Sequence, residues 1–228
     1  MEATARPKLV GPISQLDWLS RSFLFAELAA LSYQDEPNAR RAARRLGFCD
    51  VHFVDRDGAQ AYVLNSEHDC VVACRGTEPN EWNDIRADVN AVTDLAATVG
   101  RVHRGFKREV DDLWPVLEET LVSNKNPLWF TGHSLGGAMA TISAGRCAIS
   151  NVLSTPHGLF TFGSPRVGNK RFINYVTIPH HRWVNNNAIV TRMPPVWLGY
   201  RHSGREVYLE RRRNVRRLRG CSRIHARV

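Results

Sequence analysis

The segment Pro127–Ala140 constrains the fold more than any other part of the sequence. Its apolar run ends in the motif GHSLG, which contains Ser134, and small residues with a helical pattern follow. A strand, a tight turn and a helix in this order form the context in which a G-x-S-x-G motif holds its serine at the tip of a strained bend. Residues without bulk are required two positions before and after the serine, because strand and helix crowd together there. We therefore predict a strand-turn-helix unit with Ser134 as a candidate nucleophile.

The backbone N–H of Leu135 is a candidate for stabilising negative charge beside Ser134. It opens the predicted helix, whose dipole adds partial positive charge at that end. An amide placed in this way points at the oxyanion that develops when a serine attacks an acyl carbonyl. The alternative is a glycine-rich turn without chemistry, which the strand-turn-helix context disfavours.

Strand and turn patterns along the rest of the chain predict an α/β fold. Two strand-like runs, FCDVHFV and AYVLN, flank the hairpin signal Asp57-Gly58, and a third run, CVVAC, follows. After residue 100 the elements alternate: a helix over 104–122, strands at PLWFTG, LFTFG and HRWVN, and helices from about 135 and near 169–176. Such alternation is typical of a mostly parallel sheet with helices on both faces, here preceded by antiparallel N-terminal strands.

Two further stretches carry a helical pattern. Residues 13–33 place apolar side chains at helical spacing, with Ser14 as a candidate N-cap and Asp17 three positions later. Residues 81–99 carry apolar side chains at spacings of three and four, which form one stripe along a helix. The second helix is either an ordinary core-facing helix or a lid whose apolar side covers the site in water and meets lipid when open.

Length and charge favour one domain with a basic tail. The chain has 228 residues, 43% of them hydrophobic, which suffices for one sizeable core and not for two ordinary catalytic domains. Residues 211–228 hold eight arginines and no carboxylate, so this tail carries most of the formal net charge of +9. We predict a nearly neutral domain over residues 1–210. The tail is either solvated or amphipathic, or it contacts an anionic membrane surface or nucleic acid, and the absence of interleaved aromatic residues disfavours nucleic acid.

The cysteines and histidines do not predict a metal site, and no organic cofactor is indicated. The five cysteines are odd in number and lack paired metal-ligand spacings. Cys70 and Cys74 lie four apart in a strand-like run, which predicts small buried apolar residues on one face that cannot reach each other as a disulfide. The N-terminus lacks a signal-peptide pattern, and no apolar run approaches the roughly 18 residues of a membrane span. A cytoplasmic, reducing environment fits these features best.

Five motifs in a fixed order make the sequence resemble the class 3 triacylglycerol lipases, and in particular their bacterial members, over nearly its whole length. The motifs are ACRGT at 73–77, GRVHRGF at 100–106, TGHSLGGAMA at 131–140, TFGSPRVGN at 161–169 and RWVNNN at 182–187.

This resemblance implies an α/β-hydrolase fold and carboxylic ester hydrolysis, of acylglycerols above all, at a lipid-water interface and without a cofactor. It implies that Ser134 attacks the ester carbonyl and that Thr77 supplies a second oxyanion donor beside the Leu135 amide. It also implies a lid at about 78–99. His103 and His133 match family positions with packing or hydrogen-bonding roles.

The acid of the expected catalytic triad is missing from its usual place. A serine nucleophile needs a general base and an acid that orients the base, and in this fold both follow the serine, the acid first. After Ser134 the sequence has no aspartate, and its only carboxylates are Glu206 and Glu210. The family places its acid where this chain has Ala188, and a methyl group cannot orient an imidazole. Ala188 is therefore a vacant acid position.

The family's base has no match either. His202 matches a family element that is not the base, and residues 214–228 resemble the run that precedes the base segment, so we expect a chain that is cut short. Three interpretations stay open at this point. The first is a lipase domain that lacks two triad members. The second is a rewired triad, with His202 or His225 as base and Glu206 or Glu210 as acid. The third is a non-catalytic module that binds lipid or a partner.

Overall fold

The strands and helices follow the alternation that the sequence predicts. A computed structural model describes residues 8–76, 92–185, 189–209 and 224–226. Within them the α-helices are α1 (Trp18–Leu31), α2 (Glu36–Leu46), α3 (Arg104–Leu121), α4 (Leu135–Arg146) and α5 (Lys170–Tyr175). The strands are β1 (Asp50–Arg56), β2 (Ala59–Asn65), β3 (Cys70–Cys74), β4 (Thr93–Leu95), β5 (Arg101–His103), β6 (Leu128–His133), β7 (Pro156–Phe162), β8 (Gly168–Asn169), β9 (His180–Asn185), β10 (Tyr200–Arg201), β11 (Arg205–Leu209) and β12 (Ile224–Ala226).

The larger sheet runs in the order β1-β2-β3-β6-β7-β9-β11-β12. The pairs β1-β2 and β2-β3 are antiparallel, and every neighbouring pair from β3 to β12 is parallel. This confirms the predicted α/β-hydrolase architecture, a mostly parallel sheet with antiparallel N-terminal strands. A second, antiparallel sheet in the order β10-β8-β5-β4 was not predicted, because strands of two or three residues carry no readable alternation.

The Asp57-Gly58 turn forms the predicted hairpin. Both residues have positive φ, 52° and 90°, and the strands beside them pair in register from Arg56 and Ala59 outwards. Two consecutive residues with positive φ match the right-handed twist of the paired strands, which explains why this dipeptide is a strong signal.

Alternate residues of the central strands enter two separate cores, so the sheet is covered on both faces. Val72 of β3 and Phe130 of β6 pack in the core that contains residues of α3 and α4. Val71 and Trp129 pack in the core formed with α1 and α2. Each fully buried side chain of this size contributes about 1.5–3 kcal/mol relative to exposure, so both faces hold the strand that leads to Ser134.

Helix α1 begins later than predicted. Asp17 is its N-cap and accepts hydrogen bonds from the amides of Leu19 and Ser20 at 3.0 and 3.1 Å, whereas Ser14 lies in a separate 3-10 turn, Ile13–Gln15. The prediction of Ser14 as the cap is therefore wrong. One oxygen of Asp17, Oδ1, accepts from both amides and so satisfies two of the donors that the start of a helix leaves without an acceptor.

The helix predicted over residues 81–99 does not extend to its predicted end. Residues 81–91 lie outside the described part of the chain, and β4 occupies Thr93–Leu95, paired antiparallel with β5. The chain reverses between the two strands at Gly100, whose φ is 88°. The helical prediction is therefore wrong for residues 93–99, since pairing with β5 overrides the apolar spacing. The lid itself stays a prediction.

The cysteines of β3 are buried in the core. Burial raises the pKa values of the Cys70 and Cys74 thiols to about 12, so both stay protonated and chemically quiet near neutral pH. This confirms their prediction as small buried apolar residues. In the described part of the chain, His, Cys, Asp and Glu side chains do not gather in groups of three or more suited to a metal. None of the helices there has the length and apolar character that a membrane crossing requires.

Candidate active site

Ser134 sits at the turn between β6 and α4 in a strained backbone conformation. Its φ and ψ are 58° and −124°, and apart from Asp57 it is the one non-glycine residue with positive φ in the described part of the chain. The amide of Ser134 donates to the carbonyl of Phe162 at 2.9 Å, and the amide of Gly137 donates to the carbonyl of Ser134 at 3.0 Å. A non-glycine residue held in such a conformation costs about 1–3 kcal/mol, which the surrounding packing must offset. This is the strand-turn-helix geometry that the sequence predicts for a nucleophile elbow.

The two glycines of the motif are required by backbone contacts across the elbow. A Cβ on Gly132 would overlap the carbonyl of Gly136 and lie 2.8 Å from the amide nitrogen of Gly137. A Cβ on Gly136 would overlap the carbonyl oxygen of Cys74 and lie 2.9 Å from the carbonyl carbon of Arg75. Strand, turn and helix therefore approach more closely than any side chain allows, as the sequence predicts.

The N-terminus of α4 lies directly after Ser134, the candidate nucleophile. Leu135 is its first residue, so its amide has no acceptor within the helix, and α4 runs for 12 residues with Arg146 in its last turn. The helix dipole places partial positive charge beside Ser134. This position supports the predicted oxyanion role of the Leu135 amide. Thr77, the second predicted donor, lies outside the described residues. Ser134 is 3% exposed, so solvent has little access to it in this conformation.

Tyr33 packs against the elbow at His133 and Gly76, a role that no motif in the sequence indicates. Its hydroxyl lies 3.0 Å from Nδ1 of His133. A Cβ on Gly76 would overlap the same hydroxyl and lie 2.5 Å from the carbonyl oxygen of His133. The Arg75 guanidinium lies 5.9 Å from the centre of the Tyr33 ring. His133 therefore has the predicted hydrogen-bonding role.

His103 has the other predicted role, packing. It is 6% exposed and precedes α3 at the N-cap position. Its ring lies 4.2 Å from that of Phe106 and 6.0 Å from that of Tyr200, centre to centre. His103 thus joins α3 to the smaller sheet.

The segment that follows β9 is held close to the elbow by Arg166. Its guanidinium donates to the carbonyl of Arg192 and, at 3.0 Å, to that of Pro194. Its backbone amide donates to the carbonyl of Met193 at 2.7 Å. The motif that contains Arg166 also contains Ser164, which packs directly against the α4 backbone, since a Cβ on Gly137 would lie 2.8 Å from the Cβ of Ser164. Residues 192–194 are thus linked to the helix that begins at the nucleophile.

His202 also contacts the segment that follows β9, one residue before the carbonyls that Arg166 binds. Its Nε2 donates to the carbonyl of Thr191 at 2.7 Å, since a carbonyl can only accept. Burial, and then the charge of Arg182, lowers the pKa of His202 to about 3. A ring with this pKa is a weak proton acceptor near neutral pH. The assignment of His202 as the base stays a prediction, and this geometry favours a positioning role. Ala188, the vacant acid position, lies outside the described residues.

Glu206, one candidate acid of the rewired triad, forms an ion pair with Arg182. Its Oε2 accepts from the Arg182 guanidinium at 2.7 Å, and Arg182 is 4% exposed. In the described part of the chain, hydrogen bonds do not connect Glu206 to His202. His225 and Glu210 lie where side chains are not described, so the rewired triad stays untested.

A second buried histidine network lies beside this region, and no motif signalled it. His180 at the start of β9 places Nε2 at 2.8 Å from the Thr161 hydroxyl and Nδ1 at 2.7 Å from the Ser203 hydroxyl. Burial, and then the charge of Arg182, lowers the pKa of His180 to about 3. Gly204, with φ of 74°, packs so closely that a Cβ there would lie 2.5 Å from the His180 Cβ. The network ties β7 and β9 to the residues before β11.

Known proteins match this arrangement in sequence and in structure. The model of the family Lipase (class 3) matches residues 71–197, which is more than half of the chain. The chain is 35% identical over 166 residues to secreted mono- and diacylglycerol lipase 1 of Fusarium solani, which covers 68% of this chain and 49% of that protein. It is 36% identical over 187 residues to toxin TseL of Vibrio cholerae, which covers 63% of this chain and 29% of that protein.

Among solved structures, the triacylglyceride lipase of Rhizomucor miehei superposes with a TM-score of 0.69 and 25% identity, over 83% of this chain and 79% of that chain. The chain spans about half the length, or less, of the curated relatives described above. The elbow at Ser134 lies inside the matched range 71–197, and the fold around it is that of the lipase structures. The chain therefore belongs to the class 3 lipase family.

Proposed function

We propose that the protein is a serine carboxylic ester hydrolase of lipase type, which acts on acylglycerols at a lipid-water interface. The observation that carries the proposal is the strained backbone of Ser134 at the N-terminus of α4, with φ of 58°. Strain of this kind persists where the surrounding structure fixes it, and it places the serine at the tip of the turn, beside the amides that begin the helix.

The reaction begins when the Ser134 oxygen attacks the ester carbonyl and its proton passes to a base. The carbonyl oxygen becomes an oxyanion that the Leu135 amide stabilises, with Thr77 as the proposed second donor. Collapse of this intermediate releases the glycerol alcohol, which takes up the proton, and leaves an acyl group on Ser134. Water then attacks the acyl group by the same route and releases the fatty acid.

The main alternative is a lipase-like module that binds lipid or a partner and turns over slowly or not at all. Ala188 favours it, because a methyl group stands where the family has its acid. Loss of triad members leaves roughly 10³–10⁴-fold acceleration over water in a serine hydrolase, through the oxyanion hole and substrate positioning. Slow turnover is therefore compatible both with the serine hydrolase and with the binding module, so the test must distinguish these two functions.

The test is hydrolysis of short-chain p-nitrophenyl esters by the wild-type chain and by S134A and A188D. We expect weak activity in the wild-type chain, loss of that activity in S134A, and a higher rate in A188D. Activity that survives in S134A would remove the serine mechanism. High activity in the wild-type chain, unchanged in A188D, would contradict a vacant acid position and favour a rewired triad, whose base H202A and H225A would then identify.

Labelling with a fluorophosphonate separates the hydrolase from the binding module. The reagent forms a covalent bond with an activated serine, so we expect labelling of the wild-type chain and none of S134A, with S164A as the control for a second buried serine. Saturable lipid affinity that is unchanged in S134A, together with no labelling of the wild-type chain, would support the binding module instead.

A further inference from the structure

The turn Val196–Leu198 exposes three consecutive large apolar side chains. Val196 is 46%, Trp197 82% and Leu198 36% exposed. Isolated exposed apolar residues are ordinary, but three adjacent ones with a tryptophan at the tip form a surface that water solvates poorly. All three residues lie in one 3-10 turn.

Hydrogen bonds and a buried neighbouring residue fix the conformation of the turn. Gly199 closes it with φ of 88°, and its amide donates to the carbonyl of Val196 at 2.9 Å. Nη1 of Arg201 donates to that same carbonyl at 2.9 Å. The next residue in the chain, Tyr200, is fully buried in the smaller sheet. The apolar side chains therefore project from an ordered base, which lowers the entropy cost of burying them against a partner.

The turn belongs to the same edge of the sheet as the nucleophile. Ser134 follows the carboxyl end of β6, and the segment that leads to the turn follows the carboxyl end of β9. Both strands are parallel to β7, whose residue Phe162 pairs with His133 on one side and Trp183 on the other. Arg166 then fixes residues 192–194 of that segment through their carbonyls.

The surroundings of the turn are basic. Arg192 and Arg201, which precede and follow the turn, are exposed, and Glu206 is the one carboxylate between residues 189 and 209. Glu206 is already paired with the buried Arg182. Within residues 189–209, exposed arginines thus flank the apolar turn, and the one carboxylate of this range is bound to Arg182.

We propose that Val196–Leu198, with Arg192 and Arg201, anchors the protein to an anionic phospholipid surface. This inference rests on the proposed lipase function, whose lipid partner it specifies. Tryptophan prefers the boundary between headgroups and acyl chains, and arginines near an anionic surface are attracted to its headgroups. The anchor turns the carboxyl edge of the sheet, and with it Ser134, towards the lipid.

The experiment is cosedimentation with vesicles of equal parts phosphatidylglycerol and phosphatidylcholine, against vesicles of phosphatidylcholine alone, at physiological salt. We expect binding to the anionic vesicles, a loss of about tenfold or more in W197A, and a smaller loss in R201Q. The matched control is L153A, because Leu153 is 70% exposed but precedes β7 and so lies at the opposite edge of the sheet. It should bind as the wild-type chain does. Equal binding by W197A and the wild-type chain would overturn the anchor, as would equal affinity for both kinds of vesicle.

Quenching of tryptophan fluorescence by brominated phosphatidylglycerol locates the inserted residue and excludes binding through the tail 211–228, which has no tryptophan. We expect W197F to lose most of the quenching and W82F, in the predicted lid, to keep it. Quenching that W197F keeps and W82F loses would overturn the proposal.

Measuring hydrolysis by S134A in parallel distinguishes the anchor from the hydrolase. If vesicle binding depends on Trp197 but hydrolysis does not depend on Ser134, the anchor stands and the proposed hydrolase is wrong. If hydrolysis depends on Ser134 but W197A binds vesicles as the wild-type chain does, the hydrolase stands and the anchor is wrong.

Discussion

The indole nitrogen of Trp129 donates to the buried carboxylate of Asp69 at 2.8 Å. The other oxygen of this carboxylate accepts from the backbone amide of Ile13, also at 2.8 Å. Asp69 is fully buried and precedes β3, while Trp129 lies on β6, the strand that leads to Ser134. One side chain thus links the N-terminal segment to two central strands.

Replacement of Asp69 by alanine should destabilise the fold by about 3 kcal/mol. Two buried donors would lose their acceptor, and each unsatisfied buried group costs about 1–3 kcal/mol. D69N should lie between the wild-type chain and D69A, because the amide keeps one acceptor oxygen. Urea denaturation measures the difference, with D55A as the control, since Asp55 is exposed and accepts one bond from Gln60. Equal stability of D69A and D55A would contradict the role of Asp69.

Replacement of Gly136 by alanine should cost about 3 kcal/mol or more, or prevent folding. The added Cβ would meet the carbonyl group of Cys74, which is backbone in a central strand and cannot move aside. G11A is the matched control, because the nearest atom to its new Cβ is a side-chain oxygen of Gln15 at 3.5 Å, an ordinary contact. Thermal unfolding compares the two variants. A G136A protein as stable as G11A would show that the elbow is less tightly packed than described.

The elbow could be predicted from the sequence because the contacts that require its glycines are local. Gly132 and Gly136 are constrained by atoms of the same strand-turn-helix unit and the adjacent strand, so residue type and spacing reveal the turn. Six strands of the larger sheet, β1, β2, β3, β6, β7 and β9, were predictable for a similar reason, since they are five to seven residues long and mostly buried. The strands β11 and β12 were not predicted.

The contacts around the elbow were not predictable, because they join residues far apart in the chain. Tyr33 reaches His133 across 100 positions and Ile13 reaches Asp69 across 56. Neither partner has a spacing or composition that points to the other. The hydrogen bond from His202 to Thr191 spans 11 positions, yet it depends on how β9 and β11 are placed, which no local pattern encodes.

Replacement of Arg166 by alanine should loosen residues 189–194. Two carbonyls would lose a charged donor, so the free energy of local opening should fall by about 2 kcal/mol. Hydrogen exchange of this segment measures the effect, and Ser134-dependent hydrolysis should fall with it. R192A is the control for hydrogen exchange alone, because Arg192 contributes its carbonyl and not its guanidinium to these bonds. Unchanged protection in R166A would mean that other contacts hold the segment.

The stability of the protein should fall as the pH is lowered from about 6.5 towards 3, in part because of His180. In the unfolded chain a histidine binds a proton near pH 6.5, whereas in the fold burial and the nearby charge of Arg182 lower the His180 pKa to about 3. Between these values the unfolded state binds more protons, so each pH unit removes about 1 kcal/mol of stability through this residue. H180Q keeps hydrogen-bonding atoms towards Thr161 and Ser203 but cannot titrate, so its free energy of unfolding should depend less steeply on pH. Urea denaturation from pH 7 to pH 4 measures both slopes. Equal slopes for H180Q and the wild-type chain would contradict a neutral, buried His180.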